Sequence, residues 1–237
     1  MVSVTAQNLV PNPGFEIYET CPDSYTNRAP RQLVPHWRIP TRGTTDYYNS
    51  CSRFNVGVPM NMMGNCFAAE GVAYAGMILL EHPEKAEQGE RPVNYREYLQ
   101  AKLENPLERD STYRVSCSFA FAGHSLYIAP VLGVHFSEKR ISRRRVRQAN
   151  PQLGMDTACF EYEKEIWYEW VDTLTASGGE EYLTLGLSEA RDRFERQFLL
   201  AKLREHGFNI SRTAQELGVY PSNLHAKIRK FGIEVER

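Results

Sequence analysis

The chain has 237 residues, of which 42% are hydrophobic and 24% charged, and its formal net charge is -1. This composition is typical of globular proteins and excludes a disordered or collagen-like chain. The longest apolar run, Ala73 to Leu80, is shorter than the roughly 18 to 20 residues of a membrane-spanning helix, so we expect a soluble protein without a membrane partner.

Charge is divided unequally along the sequence. The segment from Ser188 onward carries 10 Lys and Arg against 7 Asp and Glu, whereas the first 187 residues carry 18 against 22. This asymmetry predicts two parts with different partners. Within the acidic part, the basic run Lys139 to Arg147 is either a solvated hairpin loop or a polyanion-binding patch, and loops are the commoner origin of such runs.

The first part shows the pattern of strands and turns. Tyr25 to Asn65 has little periodicity and is interpreted as ordered surface loops. Thr112 to Phe121 alternates apolar and polar residues, which predicts a half-buried strand with its odd-numbered residues toward a core. Further short strands are predicted within Ala73 to Leu80, Tyr95 to Leu103, Ile128 to Phe136, Ile166 to Thr175 and Glu181 to Leu185. Many short strands separated by turns favour an antiparallel sandwich.

Five cysteines lie in the first part: Cys21, Cys51, Cys66, Cys117 and Cys159. They form no CxxC pair and no zinc-type cluster, so a sulfur-bound metal is not expected. Cys21 and Cys51 lie in polar, turn-rich segments of the kind that disulfides join, so this pair is favoured, with buried free thiols as the alternative. The first residues lack a charged region and a full apolar core, which predicts no working signal peptide and a cytoplasmic protein.

Common enzyme motifs are missing from the sequence. There is no G-x-S-x-G, no Walker glycine loop and no H-E-x-x-H, and the histidines lack metal-ligand spacing. We therefore expect no catalytic residues and no enzyme activity.

From Gly186 the pattern changes to helical spacing. Ser188 can cap a helix that runs to His206, with Gly207 as its stop. Two shorter helices are predicted, Ser211 to Leu217 and Pro221 to Phe231. Two short helices joined by a glycine-containing turn, the second rich in cations, form the helix-turn-helix pattern. The expected core consists of Ala214, Leu217, Val219, Leu224, Ile228 and Phe231.

Four segments of this part, Phe194 to Leu200, Gly207 to Ala214, Leu217 to Val219 and Leu224 to Ile233, carry a specific resemblance. Together they resemble the Fis-type DNA-binding domain that closes NtrC-type enhancer-binding transcription regulators. The resemblance implies a small all-α domain over residues 187–237 that binds double-stranded DNA, without the ATPase of those regulators.

The resemblance and the exposure pattern of the third helix also predict site residues. Asn223 and His225 are expected to reach base edges, and the cations and hydroxyls to contact phosphates. The full DNA-binding set is Ser211, Arg212, Tyr220, Ser222, Asn223, His225, Lys227, Arg229 and Lys230. Tyr220 and Pro221 stand where relatives have Asn, Asp or Arg, so the operator is not implied. The family pairs its first helix into a dimer, which implies a homodimer through helix 188–206 and the stripe Ala190, Phe194 and Phe198.

The first part carries a second resemblance, in Asn8 to Glu16 with Cys21 and Pro22 after it, and in Thr45 to Cys51, Ala73 to Gly76, Tyr95 to Leu99 and Gly178 to Gly186. These segments are similar to jelly-roll domains, related to carbohydrate-binding modules, of secreted bacterial cell-surface proteins. The resemblance implies a galactose-binding-like β-sandwich over residues 8–186.

That resemblance also implies ligands. Glu16 would hold a structural calcium, the only cofactor expected, although the closing strand with its acidic partner is missing after Gly186. This loss predicts an open sheet edge or one covered by the appended helix. A glycan is the implied partner, with a stacking platform drawn from Trp37, Tyr47, Tyr48, Tyr74 and Tyr95, although such aromatics are more often core.

Two functions follow from these expectations. The first is sequence-specific DNA binding by the C-terminal part, with the sandwich as a non-catalytic binding module. The alternative is an exported glycan-binding or adhesion protein with a passive helical appendage. Because the two halves imply different compartments, we interpret the chain as chimaeric, recombined or artificially generated.

Overall fold

The structure is a computed structural model that describes residues 7–25, 33–53, 55–79, 95–125, 131–142, 151–156, 163–186, 190–217, 219–230 and 232–233, without the side chains at 131, 155–156, 190–197 and 230. The chain forms two compact units, Met1–Ser188 and Glu189–Arg237. The first is built of strands and the second of helices, and each is described by itself.

Short antiparallel pairs of strands make up the β-rich unit. The strands are β1 (Trp37–Arg38), β2 (Asp46–Asn49), β3 (Met60–Asn61), β4 (Gly64–Asn65), β5 (Ala73–Gly76), β6 (Tyr98–Lys102), β7 (Thr112–Ala120), β8 (Val131–Ser137), β9 (Leu153–Asp156), β10 (Trp167–Thr175) and β11 (Tyr182–Gly186). Five of them form one sheet in the order β1-β6-β11-β8-β9, and the others pair as β7 with β10, β2 with β5, and β3 with β4.

The last strand, β11, lies in the middle of the five-stranded sheet. Leu183 is paired with Ala101 of β6 on one side and with Phe136 of β8 on the other. In the described part of this sheet the edges are β1 and β9. The strand that ends at Gly186 is therefore an inner strand of the described sheet. The expectation that a sheet edge is open, or covered by the appended helix, stays a prediction.

The core of the β-rich unit centres on β6, which is buried on both faces. Leu99 and Ala101 belong to the main apolar cluster, while Gln100 between them is buried as well. The Gln100 amide is satisfied, because its Nε2 donates to Thr184 Oγ1 at 2.8 Å and its Oε1 accepts from Arg38 Nη1 at 2.7 Å. Buried polar groups that are paired in this way cost little and fix the strand register.

The predicted strands are confirmed, since each predicted run overlaps an observed strand: β5, β6, β7, β8, β10 and β11. In β7 the odd-numbered residues 113–119 are less exposed than their even-numbered neighbours, as the alternation indicated. The interpretation of Tyr25 to Asn65 as surface loops is partly wrong. This stretch contains β1 to β4 and buries Trp37, Tyr47 and Tyr48.

A disulfide joins Cys21 to Cys51, and this bond confirms the favoured pair. It ties the N-terminal segment to the turn that follows β2. Cys66 and Cys117 are free, and Cys159 lies outside the described residues. The basic run lies in the connection of the β8–β9 hairpin; Lys139 and Arg140 are exposed there, and residues 143–147 lie outside the description.

Three helices build the second unit: α1 (Ala190–Glu205), α2 (Ile210–Glu216) and α3 (Pro221–Lys230). Gly207 stops α1, as predicted, in the left-handed region with φ of 55°. Phe208 N–H donates to Leu203 O at 2.6 Å and Gly207 N–H to Arg204 O at 3.0 Å, which is the Schellman arrangement. Among the helices that the structure describes, none combines the length and apolarity that a bilayer crossing requires. Ser188, the expected cap of α1, lies outside the described residues.

Candidate nucleic-acid interface

A small apolar core holds the three helices together. Each helix contributes buried side chains, spaced by four residues where it contributes two: Leu199 and Leu203 from α1, Ala214 from α2, and Leu224 and Ile228 from α3. Leu217 and Val219, in the turn between α2 and α3, pack against this cluster. The expected core is confirmed for these residues, apart from Phe231, which lies outside the description. Sequence reasoning had left Ile233 out of the core, although it is buried there.

Asn209 caps the N-terminus of α2, which begins at Ile210. Its Oδ1 accepts the backbone N–H of Arg212 at 3.0 Å, which is the side-chain cap of a helix N-terminus. The buried Thr213 adds a hydroxyl bond to the Asn209 backbone oxygen at 2.8 Å. The predicted start at Ser211 was late by one residue, because Ile210 continues the core stripe and is itself helical.

Opposite faces of α3 differ in polarity. Leu224 and Ile228 are buried, whereas Ser222, His225, Ala226 and Arg229 are exposed with the i, i+3, i+4, i+7 spacing of one helix stripe. Asn223 lies exposed beside that stripe. The helix contains no acidic residue, so its outward face carries only neutral and positive groups.

The end of α3 is fixed in the same way as that of α1. Ile233 N–H donates to Ile228 O at 3.1 Å, Gly232 N–H donates to Arg229 O at 3.3 Å, and Gly232 has φ of 58°. Ile233 is thereby folded back onto the core. A helix that is anchored at its end and buried along one face presents its other face as a rigid surface.

The structure describes the side chains of all the predicted DNA-binding residues except Lys230. Ser211, Arg212, Tyr220, Ser222, Asn223, His225 and Arg229 are exposed, Lys227 is half-buried, and the Lys230 side chain lies outside the description. Tyr220 has 77% of its surface exposed, and its backbone oxygen accepts the N–H groups of Asn223 and Leu224 at the start of α3.

A charged cluster joins the end of α1 to the end of α2. Lys202 Nζ lies 2.7 Å from Glu216 Oε1 and 2.9 Å from Glu205 Oε2, and His206 Nε2 contacts Glu216 Oε2. Hydrogen bonds to Glu216 and then to Glu205 raise the pKa of Lys202, and those from Lys202 and then His206 lower the pKa of Glu216. Sequence reasoning missed this cluster, because the helix turn that assembles it gives no local signal.

Glu205, His206 and Glu216 offer ligand atoms within 4.8 Å of one another, which a metal ion could share. The Lys202 ammonium already compensates both carboxylates from within hydrogen-bond distance. The contacts of the described residues thus account for the cluster as an ionic one.

Comparison with known proteins finds similarity in the same C-terminal unit. Residues 190–231 match the family described as "Bacterial regulatory protein, Fis family". A stretch of 57 residues is 46% identical to the nitrogen assimilation regulatory protein NtrX of Azorhizobium caulinodans, and it covers 24% of this chain and 13% of that protein. The C-terminal unit carries a Fis-family helix-turn-helix. The chain thus spans only a small part of the regulator's length.

Of the residues expected to pair two copies of the Fis-family unit, Phe198 on α1 has 39% of its surface exposed. The side chains of Ala190 and Phe194 on the same helix lie outside the description. The predicted dimer stripe is therefore visible only at Phe198.

In the β-rich unit, the expected sugar-stacking platform is wrong for three of its five aromatics. Trp37, Tyr47 and Tyr48 are buried, and burial raises the pKa of Tyr47 to about 12. The two others are half-buried and hydrogen-bonded: the Tyr74 hydroxyl to Cys66 O at 3.2 Å, and the Tyr95 hydroxyl to Glu97 Oε1 at 2.6 Å. These five aromatic residues serve packing or hydrogen bonding within the unit, in keeping with the commoner role expected of such residues from the sequence.

Glu16, the expected calcium ligand, is exposed, and its carboxylate accepts backbone N–H groups. Val72 N–H donates to Oε1 at 3.0 Å and to Oε2 at 3.2 Å, and Ala73 N–H donates to Oε1 at 3.2 Å. Among the described residues, the group of potential metal ligands lies around His206 and does not include Glu16. Both oxygens of the Glu16 carboxylate thus accept backbone hydrogen bonds. Calcium binding at Glu16 stays a prediction.

Proposed function

We propose that the C-terminal unit binds double-stranded DNA by placing α3 in the major groove. The observation that carries this proposal is the division of α3 into a buried apolar stripe and an exposed polar stripe, within a segment that matches the Fis family. The major groove of B-DNA admits an α-helix, and side chains at the N-terminal end of such a helix reach the base edges.

The charges of the unit support this partner. The exposed Arg229 and Arg212 lie on neighbouring helices, and Lys227 is half-buried on the flank of α3. We assign these cations, with Ser211, Tyr220 and Lys230, to phosphate contacts, which supply most of the affinity for any duplex. Asn223 and His225 are assigned to base edges, with Ser222 beside them.

A fluorescence-anisotropy titration with a labelled generic duplex at two salt concentrations tests the proposal. The affinity of the full chain is expected to fall steeply with salt, because cations on the DNA are released on binding. Arg229→Ala is expected to flatten the salt slope by roughly one unit, and Lys230→Ala to act in the same way.

Arg114→Ala is the matched control. It removes the same charge from an exposed, ion-paired position on β7 of the other unit, so it is expected to leave the slope unchanged. Lack of binding at low salt would contradict the proposal. Equal slopes for Arg229→Ala and the wild-type chain would remove Arg229 from the DNA backbone.

We further propose the role of a cytoplasmic transcription regulator. NtrX is by its name a regulatory protein, and the match to it covers 24% of this chain. The family match lies in the helical unit, over residues 190–231. Such a protein would bind or bridge sites on DNA and carry no enzyme activity of its own. Pairing of two copies through α1 would let it read a longer site than one unit does.

For the β-rich unit we propose a jelly-roll sandwich that acts as a non-catalytic binding module. The five-stranded antiparallel sheet and the separate long pair of β7 and β10 support two layers. The disulfide favours the second candidate function, an exported glycan-binding or adhesion protein, because such bonds persist in oxidising compartments. A glycan array tests this second function by measuring glycan binding directly. Calcium bound at Glu16 would show itself there as calcium-dependent glycan binding.

A further inference from the structure

We propose that Glu216 is a positioning residue for DNA binding, which holds α2, and through it α3, at a fixed angle to α1. This inference rests on the DNA-binding function proposed above. Glu216 is the last residue of α2, and both of its carboxylate oxygens are engaged by α1 and the residue that follows it: Oε1 by Lys202 at 2.7 Å and Oε2 by His206.

Apolar packing alone specifies the orientation of α2 weakly. The helix has seven residues; its two buried side chains, Thr213 and Ala214, are small, and its larger apolar side chain, Ile210, is only partly buried against the core. Thr213 also spends its hydroxyl on Asn209 at the start of the same helix. A short helix with small buried side chains and one partly buried larger one leaves its tilt weakly specified, so a second point of attachment is needed to fix its angle.

Glu216 supplies that point with two bonds of different direction. Lys202 reaches it from the last turn of α1, and His206 from the residue after α1, where the left-handed Gly207 fixes the chain. The His206 side chain is only 11% exposed, which limits its freedom to follow a moving partner. Two contacts to two oxygens of one carboxylate restrain rotation as well as distance.

The negative charge of Glu216 is a second argument for a positioning role, because a carboxylate is unfavourable at this place in the unit. A carboxylate at the C-terminal end of a helix is unfavourable with the helix dipole, and near DNA it repels phosphates. The Lys202 ammonium offsets the unfavourable dipole, and hydrogen bonds from Lys202 and then His206 lower the pKa of Glu216. The fixed angle of α2 explains why an acidic residue stands here, where a neutral residue would not repel phosphates.

Two glutamates of one cluster provide a matched test in the full chain. Glu216→Gln leaves a neutral amide with one acceptor oxygen in place of the carboxylate that bridges the helices, whereas Glu205→Gln removes an equal charge whose bond to Lys202 lies within α1. If charge alone acts, both variants bind a generic duplex more tightly than the wild-type chain. Positioning predicts instead that Glu216→Gln binds at least about threefold more weakly than Glu205→Gln at the same salt concentration.

Binding is measured at a temperature at which far-UV circular dichroism shows the full helical signal for both variants, so that a loss of stability alone does not change the result. Equal affinities of the two variants would overturn the inference while leaving the DNA-binding function intact. Lack of DNA binding by the wild-type chain would contradict both the inference about Glu216 and the proposed DNA-binding function. If Glu216→Gln lost its helical signal, Glu216→Asp and Glu205→Asp would replace the pair, with the same order of affinities expected and equal affinities again decisive.

Discussion

Trp37 and Asn12 are joined by a buried hydrogen bond, in which the indole Nε1 donates to the Asn12 backbone oxygen at 2.8 Å. The Asn12 side chain closes the same loop, since its Nδ2 donates to Ile17 O at 2.8 Å and its Oδ1 accepts Ile17 N–H at 3.0 Å. Asn12 has φ of 49°, a left-handed conformation that asparagine tolerates better than most residues. One residue thus connects the N-terminal segment to the core.

Asn12→Ala is therefore expected to destabilise the β-rich unit by about 1 to 3 kcal/mol, because Ile17 loses its partners. Unfolding in urea followed by tryptophan fluorescence measures this, since all three tryptophans lie in that unit. Asn8→Ala is the control. Its exposed side chain makes one bond, to Val10 N–H at 3.0 Å, so an equal loss in both variants would contradict the assignment.

Loss of the disulfide is expected to lower the free energy of unfolding of the same unit. Cys21 and Cys51 are 30 residues apart, and closing a loop of that length stabilises by about 3 to 4 kcal/mol in the chain-entropy account. The Cys21→Ser, Cys51→Ser double variant should unfold at a lower urea concentration than the wild-type chain, as followed by tryptophan fluorescence. Its far-UV signal from the helical unit should persist, and a reductant should have no further effect on it. Wild-type stability that resists a reductant would contradict the prediction.

Asn223→Ala is expected to reduce sequence preference more than general DNA affinity. If its amide reads a base edge, the change costs about 1 to 3 kcal/mol on a preferred site, selected from a random duplex library, and little on other duplexes. Gln215→Ala, which truncates an exposed amide on α2, is the control. A similar loss on all duplexes would assign Asn223 to the backbone instead.

Pairing through α1 is tested at Phe198. Burial of a Phe side chain contributes roughly 1.5 to 3 kcal/mol, so a stripe of such residues, doubled by symmetry, can sustain a dimer at micromolar concentration. Light scattering of the full chain should therefore show a dimer, and Phe198→Asp or Phe194→Asp a monomer with weaker DNA binding. A monomeric wild-type chain, with DNA affinity unchanged by these substitutions, would exclude the pairing.

Acid should weaken the helical unit through Glu216. Its pKa is lowered in the folded state from an ordinary value of 4.5, mainly by the bond from Lys202. A carboxyl group of this kind contributes stability above its unfolded pKa and loses it as the pH falls below about 4.5 through the folded pKa. Thermal melts at 222 nm should show a smaller drop on acidification for Glu216→Gln than for Glu205→Gln. Identical pH profiles would contradict this.

Sequence patterns predicted those elements whose residues alternate or recur along the chain. In β7 the alternation of Tyr113, Val115 and Cys117 with polar neighbours was sufficient, because one face of the strand is less exposed than the other. In β2 the last three of four residues, Tyr47 to Asn49, are all buried, so no alternation marks it as a strand. Its identity depends on pairing with β5, which lies more than twenty residues away.

The helical unit was predicted more completely for a related physical reason. Its stops, Gly207 and Gly232, and its four-residue spacings, such as Leu224 with Ile228, are local signals. The contact of Lys202 with Glu216 is not local, since it spans 14 residues and depends on how the turn after α1 redirects the chain. Chemistry assembled by such turns becomes visible only in three dimensions.

The central place of β11 also decides where this protein can be cut. A truncated chain that ends after Gly186 keeps the strand between β6 and β8, so both of its ladders remain paired. A chain that ends before Tyr182 would leave two facing strands with unpaired backbone groups along the middle of the sheet. Such edges recruit strands from other molecules, so loss of these five residues is expected to turn a folded domain into an aggregating one.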